Sequence, residues 1–321
     1  MRTLGRSGIE VSEIGFGAWA IGGPFSAGGQ PVGWGAVDDD ESVAAIHRAL
    51  DLGVTFFDTA DVYGTGHSEQ VLRRALDGRR DQVVIATKFG NTFDAATREL
   101  TGQDVSPAYI RSACRASLER LGTDWIDLYQ LHYGAMPYER VDEVLATLEE
   151  LADEGLIRSY AWSTDDPDRA AAFAKGPRCT AVQHQINVLE DTPEMLAVCA
   201  THDLASVDRG PLAMGLLSGK YTADSRLPED DVRAEPEGRY FRGGRPAPEY
   251  LDRLAAVREV LTAGGRTLAQ GALGWLLARD SRTVPIPGIR TVAQAEENAA
   301  ALTLGPLTGA QLTEIRTLLG R

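Results

Sequence analysis

Cysteine is scarce in this 321-residue chain. The three present, Cys114, Cys179 and Cys199, form no CxxC pair and no disulfide framework, so neither a stapled scaffold nor a thiolate metal site is expected. Cys114 and Cys199 fall in helix-like segments, where a buried thiol is the first expectation rather than a nucleophile. Long apolar runs are missing too. None could span a bilayer, and the opening MRTLGRSGIEVSEIG has no sustained apolar region of the kind a signal peptide needs. The expectation is a soluble cytoplasmic protein with no membrane partner. Basic charge is also in deficit, with 32 Lys and Arg against 46 Asp and Glu and a formal charge of −14. That balance opposes general nucleic-acid binding, and any site for an anionic cofactor must be a local basic pocket. The five histidines, at 47, 67, 132, 184 and 202, form no HExxH or compact mixed-ligand motif, so no metal site is expected. A GxSxG elbow, the mark of many serine hydrolases, is absent as well.

What the chain does have is alternation. Apolar segments EIGFG, VTFFDT, QVVIATKFG, WIDLYQLH, LIRSYAWST, TAVQHQIN, LASVDRG and TVPIPG read as strands. Between them lie segments with helical spacing: DDDESVAAIHRALDLG, starting near Glu41 and stopping by Gly53, then HSEQVLRRALDG, and SPAYIRSACRASLERLG ending at Gly122. YERVDEVLATLEELADEG, DPDRAAAFAKG, PEMLAVCATH, TLAQGALGWLLARD and a closing VAQAEENAAAL continue the pattern. Repeated strand and helix units imply a parallel sheet with helical crossovers, and eight units favour an α/β (β/α)8 barrel, expected as one domain over residues 1–321. MRTLGRSGIEV has the turn-rich look of a small hairpin able to cover the barrel's lower end. Residues 221–248 are charged, proline-containing and weakly periodic: a long insertion near the seventh strand, read as a substrate-facing lid or a disordered surface loop.

Active sites of parallel barrels gather where strands end and loops begin. Asp58 follows VTFF, Lys88 follows VVIAT, His132 follows IDLYQL, and Tyr63 lies in the loop after Asp58. A phenol is a weak acid near neutrality, but a neighbouring ammonium favours its ionised form, and a carboxylate can hold that ammonium in place. Tyr63 as proton donor, Lys88 as its electrostatic modifier, Asp58 as the lysine's partner and His132 as a hydrogen-bonding or proton-transfer group suit carbonyl reduction. None of these groups supplies a hydride, so a redox cofactor is required.

LGRSGIEVSEIGFGAW, FFDTADVYGTGHSE, VVIATKFG, SLERLGTDWIDLYQLH, GLIRSYAWST, GPLAMGLLSGKY and TVPIPGIRTVAQAEEN, in this order and spacing, resemble the aldo-keto reductases over nearly the full chain. By that resemblance the family's catalytic Asp, Tyr, Lys and His match Asp58, Tyr63, Lys88 and His132. It implies a TIM barrel that binds NADPH, less often NADH, and a small aldehyde or ketone substrate. Ser163 and Gln183 would address the nicotinamide carboxamide, and Ser218 and Lys220 the pyrophosphate or ribose. Gly288, Arg290 and Gln294 would surround the adenosine phosphate, and Glu297 and Asn298 the adenine. Arg290 favours NADPH, because a guanidinium binds a 2'-phosphate through directional charged hydrogen bonds.

Departures from the family pattern are local. AWST stands where GVSN is expected, so Thr164 replaces an amide side chain and Trp162 a smaller residue. Arg209 precedes GPL where many relatives have an aromatic residue stacked on nicotinamide; a guanidinium plane can also stack, with a positive charge added. Trp19, Phe25, Trp34 and Tyr133 are candidates for an apolar substrate wall, although each could equally pack the barrel loops. Two rival functions share the scaffold: a non-redox isomerase or lyase using Lys88, disfavoured by the complete tetrad, and a cofactor-binding regulatory subunit without turnover.

Overall fold

In the computed structural model, which describes residues 1–321, the eight expected strands pair in chain order into one parallel sheet. They are β1 (Phe16–Gly17), β2 (Phe56–Asp58), β3 (Val84–Phe89), β4 (Ile126–Leu131), β5 (Ile157–Ser163), β6 (Cys179–Gln185), β7 (Ala205–Arg209) and β8 (Thr283–Pro285). The crossovers are helices α1 (Asp39–Asp51), α2 (His67–Ala75), α3 (Pro107–Leu121), α4 (Val141–Asp153), α5 (Pro167–Phe173) and α6 (Pro193–His202), then α7 (Pro248–Thr262) and α8 (Leu268–Arg279) together between β7 and β8. α9 (Val292–Leu304) follows β8, and α10 (Gly309–Leu318) ends the chain.

The sheet closes on itself. Gly15 N donates to Pro285 O and Gly17 N to Pro287 O, both at 2.9 Å, and Gly17 bridges in parallel to Gly288. Closure demands glycine at this seam. A Cβ on Gly17 would lie 2.6 Å from Ile286 O, and one on Gly15 2.8 Å from the Phe56 ring. Substitution at Gly17, where the Cβ would meet backbone, would force the first strand off the last.

Side chains alternate across a strand, so every second residue of each strand points into the barrel. Phe56, Val84, Ala86, Leu128, Ala161, Ala181, Ala205, Val207, Val284 and Ile286 form one buried interior cluster. Leu4, Ile9 and Val11 belong to it too, carried by the hairpin in which Arg2–Thr3 pairs antiparallel with Glu10–Val11. The hairpin therefore plugs the lower end, as its composition suggests. Each of its three aliphatic side chains contributes about 1.5–3 kcal/mol by burial. A second, larger apolar layer lies between the strands and α1–α6 and α9.

Helix ends follow their capping residues. Asp38 accepts from Asp40 N and Glu41 N at the start of α1, and Ser106 caps α3, which Gly122 terminates in the left-handed conformation at φ 65°. Three features lie outside the sequence expectation. The segment after β3 folds into a ribbon, Asn91–Asp94 against Glu99–Gln103, whose outer strand pairs with Ser26–Ala27 to build a small sheet with Gln30–Pro31. α10 extends the chain past the expected closing helix; its threonine cap, Thr308, makes a reciprocal box with Gln311. Residues 221–248 fold back on the barrel, with a short helical turn at Val232–Ala234 and a miniature hairpin of Phe241–Arg242 and Arg245–Pro246.

Candidate active site

The inward-facing rows of the strands continue upward from the apolar interior into Asp58, Lys88, Gln130, Ser163, Gln183 and Arg209, with His132 two residues beyond Gln130. Register sets them side by side: Asp58 is level with Ala86, Lys88 with Gln130, and Ser163 with Gln183. The small alanines below leave room for these polar groups at the upper end. Lys88 is fully buried and Asp58 is 2% exposed.

Lys88 Nζ donates to Asp58 Oδ1 at 2.5 Å, to Thr59 O at 2.7 Å and to the Tyr63 hydroxyl at 3.2 Å. All three ammonium protons thus have acceptors, the condition for keeping a buried lysine charged. The other oxygen of Asp58, Oδ2, accepts from Gln130 Nε2 and Gln183 Nε2, each at 2.7 Å. Removing one partner of such a buried pair typically costs about 3–5 kcal/mol, because an uncompensated charge is left behind. His132 meets Tyr63 edge-on with ring centroids 6.0 Å apart, and Trp19 stacks on Tyr63 at 6.0 Å and 24°.

Burial works to lower the Lys88 pKa, but Asp58 and Tyr63 outweigh it, and the ammonium is held above its ordinary range. Tyr63 moves the other way from the sequence expectation. Burial raises its pKa by more than Lys88 lowers it, so in the protein alone the phenol keeps its proton firmly. His132 is pushed well below the usual imidazole value by burial and by the charges of Lys88 and Arg209, which leaves a neutral ring at physiological pH.

The remaining expected contacts divide into two groups around the barrel mouth. Gln183 spends its amide N–H groups on Asp58 and Gln130, while its carbonyl oxygen accepts nothing within the chain. Arg209 pairs with Asp165, and its Nε is buried without a partner; His132 Nδ1 is likewise buried and unpartnered. Ser218 Oγ donates to Gly215 O, and Lys220 is exposed, its ammonium 5.0 Å from the Tyr221 ring centroid. On the far side, Gly288 is exposed beside the seam, and Arg290 donates from its guanidinium to Trp34 O and Ala36 O at 3.2 and 2.6 Å. Gln294 accepts from Arg290 N at 2.7 Å, Glu297 O accepts from Gln270, and Asn298 is buried on α9. The amides of Val292 and Ala293, in the first turn of α9, have no acceptor within the chain.

An anionic dinucleotide finds matching groups here: an exposed ammonium at Lys220, free helix-start amides near Arg290, and unpartnered polar atoms at Arg209 and His132.

Three side chains near the strand ends are engaged away from the pocket. Trp162 and His184 lie on the outward rows. Trp162 packs against Phe173 and donates to Tyr133 O, so its bulk never meets the pocket. His184 is tied to Ser206 Oγ at 2.7 Å and to Thr192, away from the mouth. Thr164 Oγ1 donates to Gly134 O and accepts from Asp166 N, which spends the hydroxyl on the approach to α5. Gln130 is the residue the sequence reading missed. Its signal was present as the inward position between Leu128 and His132.

The sequence pattern of the aldo/keto reductase family matches residues 13–319. The chain is 30% identical over 317 residues to an uncharacterised oxidoreductase of Bacillus subtilis, YqkF, covering 98% of this chain and 95% of the relative. Among solved structures it resembles the holo form of the aldo-keto reductase AKR11C1 from Bacillus halodurans, with a TM-score of 0.78 and 32% identity over 99% of this chain and 95% of that one. An aldo-keto reductase from Klebsiella pneumoniae, in complex with NADPH, superposes with a TM-score of 0.72 at 26% identity, covering 99% and 94%.

Proposed function

Because the chain belongs to the aldo/keto reductase family, we propose that it reduces an aldehyde or ketone to an alcohol with NADPH, using Tyr63 as the proton donor. The observation that carries this reading is Lys88 Nζ set between Asp58 at 2.5 Å and the Tyr63 hydroxyl at 3.2 Å. As donor to the phenol oxygen, the ammonium leaves the phenol's own proton free to be given away. When that proton moves to the carbonyl oxygen of the substrate, negative charge develops on Tyr63 and is stabilised by the ammonium already in place. Asp58, held by Gln130 and Gln183, keeps the ammonium from following. His132, neutral, serves as a hydrogen-bond donor that orients the carbonyl oxygen and does not compete as an acid.

NADPH, when bound, supplies the hydride to the carbonyl carbon. The Klebsiella relative holding NADPH supports this choice of cofactor. In this chain, Ser163, the free carbonyl oxygen of Gln183 and Arg209 would hold the nicotinamide end. Ser218 and Lys220 would hold the pyrophosphate or ribose, and Gly288, Arg290, Gln294, Glu297 and Asn298 the adenosine phosphate end. NADH is an alternative donor at the same site.

Tyr63→Phe tests the assignment. It should lower kcat by about a hundredfold to ten-thousandfold while NADPH affinity, read by fluorescence titration, stays within a factor of about two. Unchanged turnover across a panel of aldehydes and ketones would remove Tyr63 from its role. Tight NADPH binding by the wild-type protein with no carbonyl consumed would replace the enzyme reading with a regulatory one.

A further inference from the structure

Within the insertion at residues 221–248, Arg233 ties the segment to the loop that carries Trp34. Arg233 and Asp231 are largely buried, with 10% and 12% of their side chains exposed, and form a two-point ion pair, Nε to Oδ1 at 2.8 Å and Nη2 to Oδ2 at 2.6 Å. The remaining terminal nitrogen, Nη1, donates to the Tyr221 hydroxyl at 2.7 Å and to Met214 O at 3.1 Å. The face of the same guanidinium lies 4.8 Å from the Trp34 ring centroid and 5.3 Å from those of Tyr221 and Phe241. Four separate pieces of chain thus meet on one cation: the loop after β1, the GPLAMG segment after β7, and the start and the hairpin of the insertion.

Trp34 is held from other sides as well. Val232 N donates to Gly33 O, the indole of Trp19 to Val32 O, and Arg290 to Trp34 O. Trp34 then meets Trp19 edge-on at 5.2 Å and 73°, and Trp19 stacks on Tyr63. Met214, whose carbonyl Arg233 holds, sits with Ala213 in the left-handed region at φ 55° and 49°, where a side chain is strained and needs support.

We propose that Arg233 is a positioning residue for the substrate wall: it fixes Trp34, and through Trp34 and Trp19 the aromatic surface beside Tyr63, which selects carbonyl compounds bearing a planar aromatic group over short aliphatic ones. This rests on the carbonyl-reductase reading. A ring as rigid and polarised as indole favours a planar partner by offset or edge contacts, and that preference is lost when the ring is free to turn. Lysine is a poor replacement, because a point charge cannot face three rings while pairing with Asp231, Met214 O and Tyr221 at once.

The test compares kcat and KM for benzaldehydes and for propanal in the wild type and in Arg233→Met, Arg233→Lys and Trp34→Leu. Arg233→Met should lower the preference for benzaldehyde over propanal about tenfold, through KM rather than kcat. Arg233→Lys should fall between it and the wild type. Trp34→Leu should give the same loss, and the double variant Arg233→Met with Trp34→Leu no more than either alone. Equal losses on both substrates, or additive losses in the double variant, overturn the proposal. Where Arg233→Met loses its cooperative thermal transition, Trp34→Leu and Arg233→Lys decide alone, and a preference unchanged in both rejects it. A wild-type protein that reduces no carbonyl defeats the functional reading instead. The positioning role is then judged by near-ultraviolet circular dichroism: Arg233→Met must lose the Trp19–Trp34 signal that Trp34→Leu loses, and its retention refutes the role.

Discussion

Gln130 donates from Nε2 to Asp58 Oδ2 at 2.7 Å, the oxygen of the carboxylate that Lys88 leaves free. Together with Gln183, it gives Asp58 a second oxygen as well satisfied as the first, so with Lys88 the carboxylate is fixed from three strands other than its own. Replacing Gln130 by leucine conserves most of the volume but removes one buried donor. The expected cost is about 1–3 kcal/mol of stability, read from urea unfolding, because a buried acceptor loses a partner. A fall of kcat by about tenfold should accompany it, with KM little changed, since the lysine beside Tyr63 would lose part of its anchor. A variant with wild-type unfolding midpoint and turnover would show that Gln183 alone suffices.

His184 gives a pH prediction outside the pocket. Its ring is buried against Ser206 and Thr192, and burial above all depresses its pKa to about 4. An unfolded histidine titrates near 6.5, so between these values the unfolded chain binds more protons than the folded one. Stability from this group is therefore intact above about pH 6.5 and falls as the pH drops towards 4, by about 3 kcal/mol once both states are protonated. Asp61 and Asp208, buried with pKa values raised well above the ordinary range chiefly by desolvation, impose the opposite slope in the protein as a whole. The measurement is therefore the difference in Tm between wild type and His184→Gln as a function of pH. It should narrow, or reverse in favour of glutamine, from pH 7 to pH 4. A difference that stays constant over that interval would mean His184 titrates alike in both states.

The strands were legible because period-two alternation and β-branched residues coincide with short apolar runs, and Asp58, Lys88 and His132 were legible because they end those runs. The same parity finds Gln130, and places Trp162 and His184 on the outer face. Other features depended on partners distant in sequence. Nothing local in NTFDAATRELTGQ announces a ribbon that pairs with Ser26–Ala27, and nothing in DDVRAEP marks Arg233 as a cation packed on Trp34, about two hundred residues away. Tyr63 shows the same limit in electrostatics. The nearby ammonium is readable from the motif, whereas the stronger effect of burial depends on the whole barrel mouth.

Arg290 supplies the most direct test of cofactor choice, because the structure shows it already employed. Its guanidinium donates to the carbonyls of Trp34 and Ala36, yet a guanidinium carries five N–H donors, and these two contacts leave three for a phosphate. The adjacent amides of Val292 and Ala293 lie free at the start of α9, where the helix favours an anion. If Arg290 serves both the loop and the 2'-phosphate, Arg290→Met should weaken NADPH by about tenfold to a hundredfold, the range expected for lost charge-assisted hydrogen bonds. NADH, which lacks that phosphate, should lose no more than about threefold, through the loosened loop alone. Added salt should then weaken NADPH more in the wild type than in the variant, because the screened charge pair is present only in the former. Fluorescence titrations of both nucleotides at two ionic strengths measure all of these quantities. Equal weakening of NADPH and NADH, with equal salt dependence in the two proteins, would confine Arg290 to holding Trp34 and Ala36 and shift the 2'-phosphate contact to another residue.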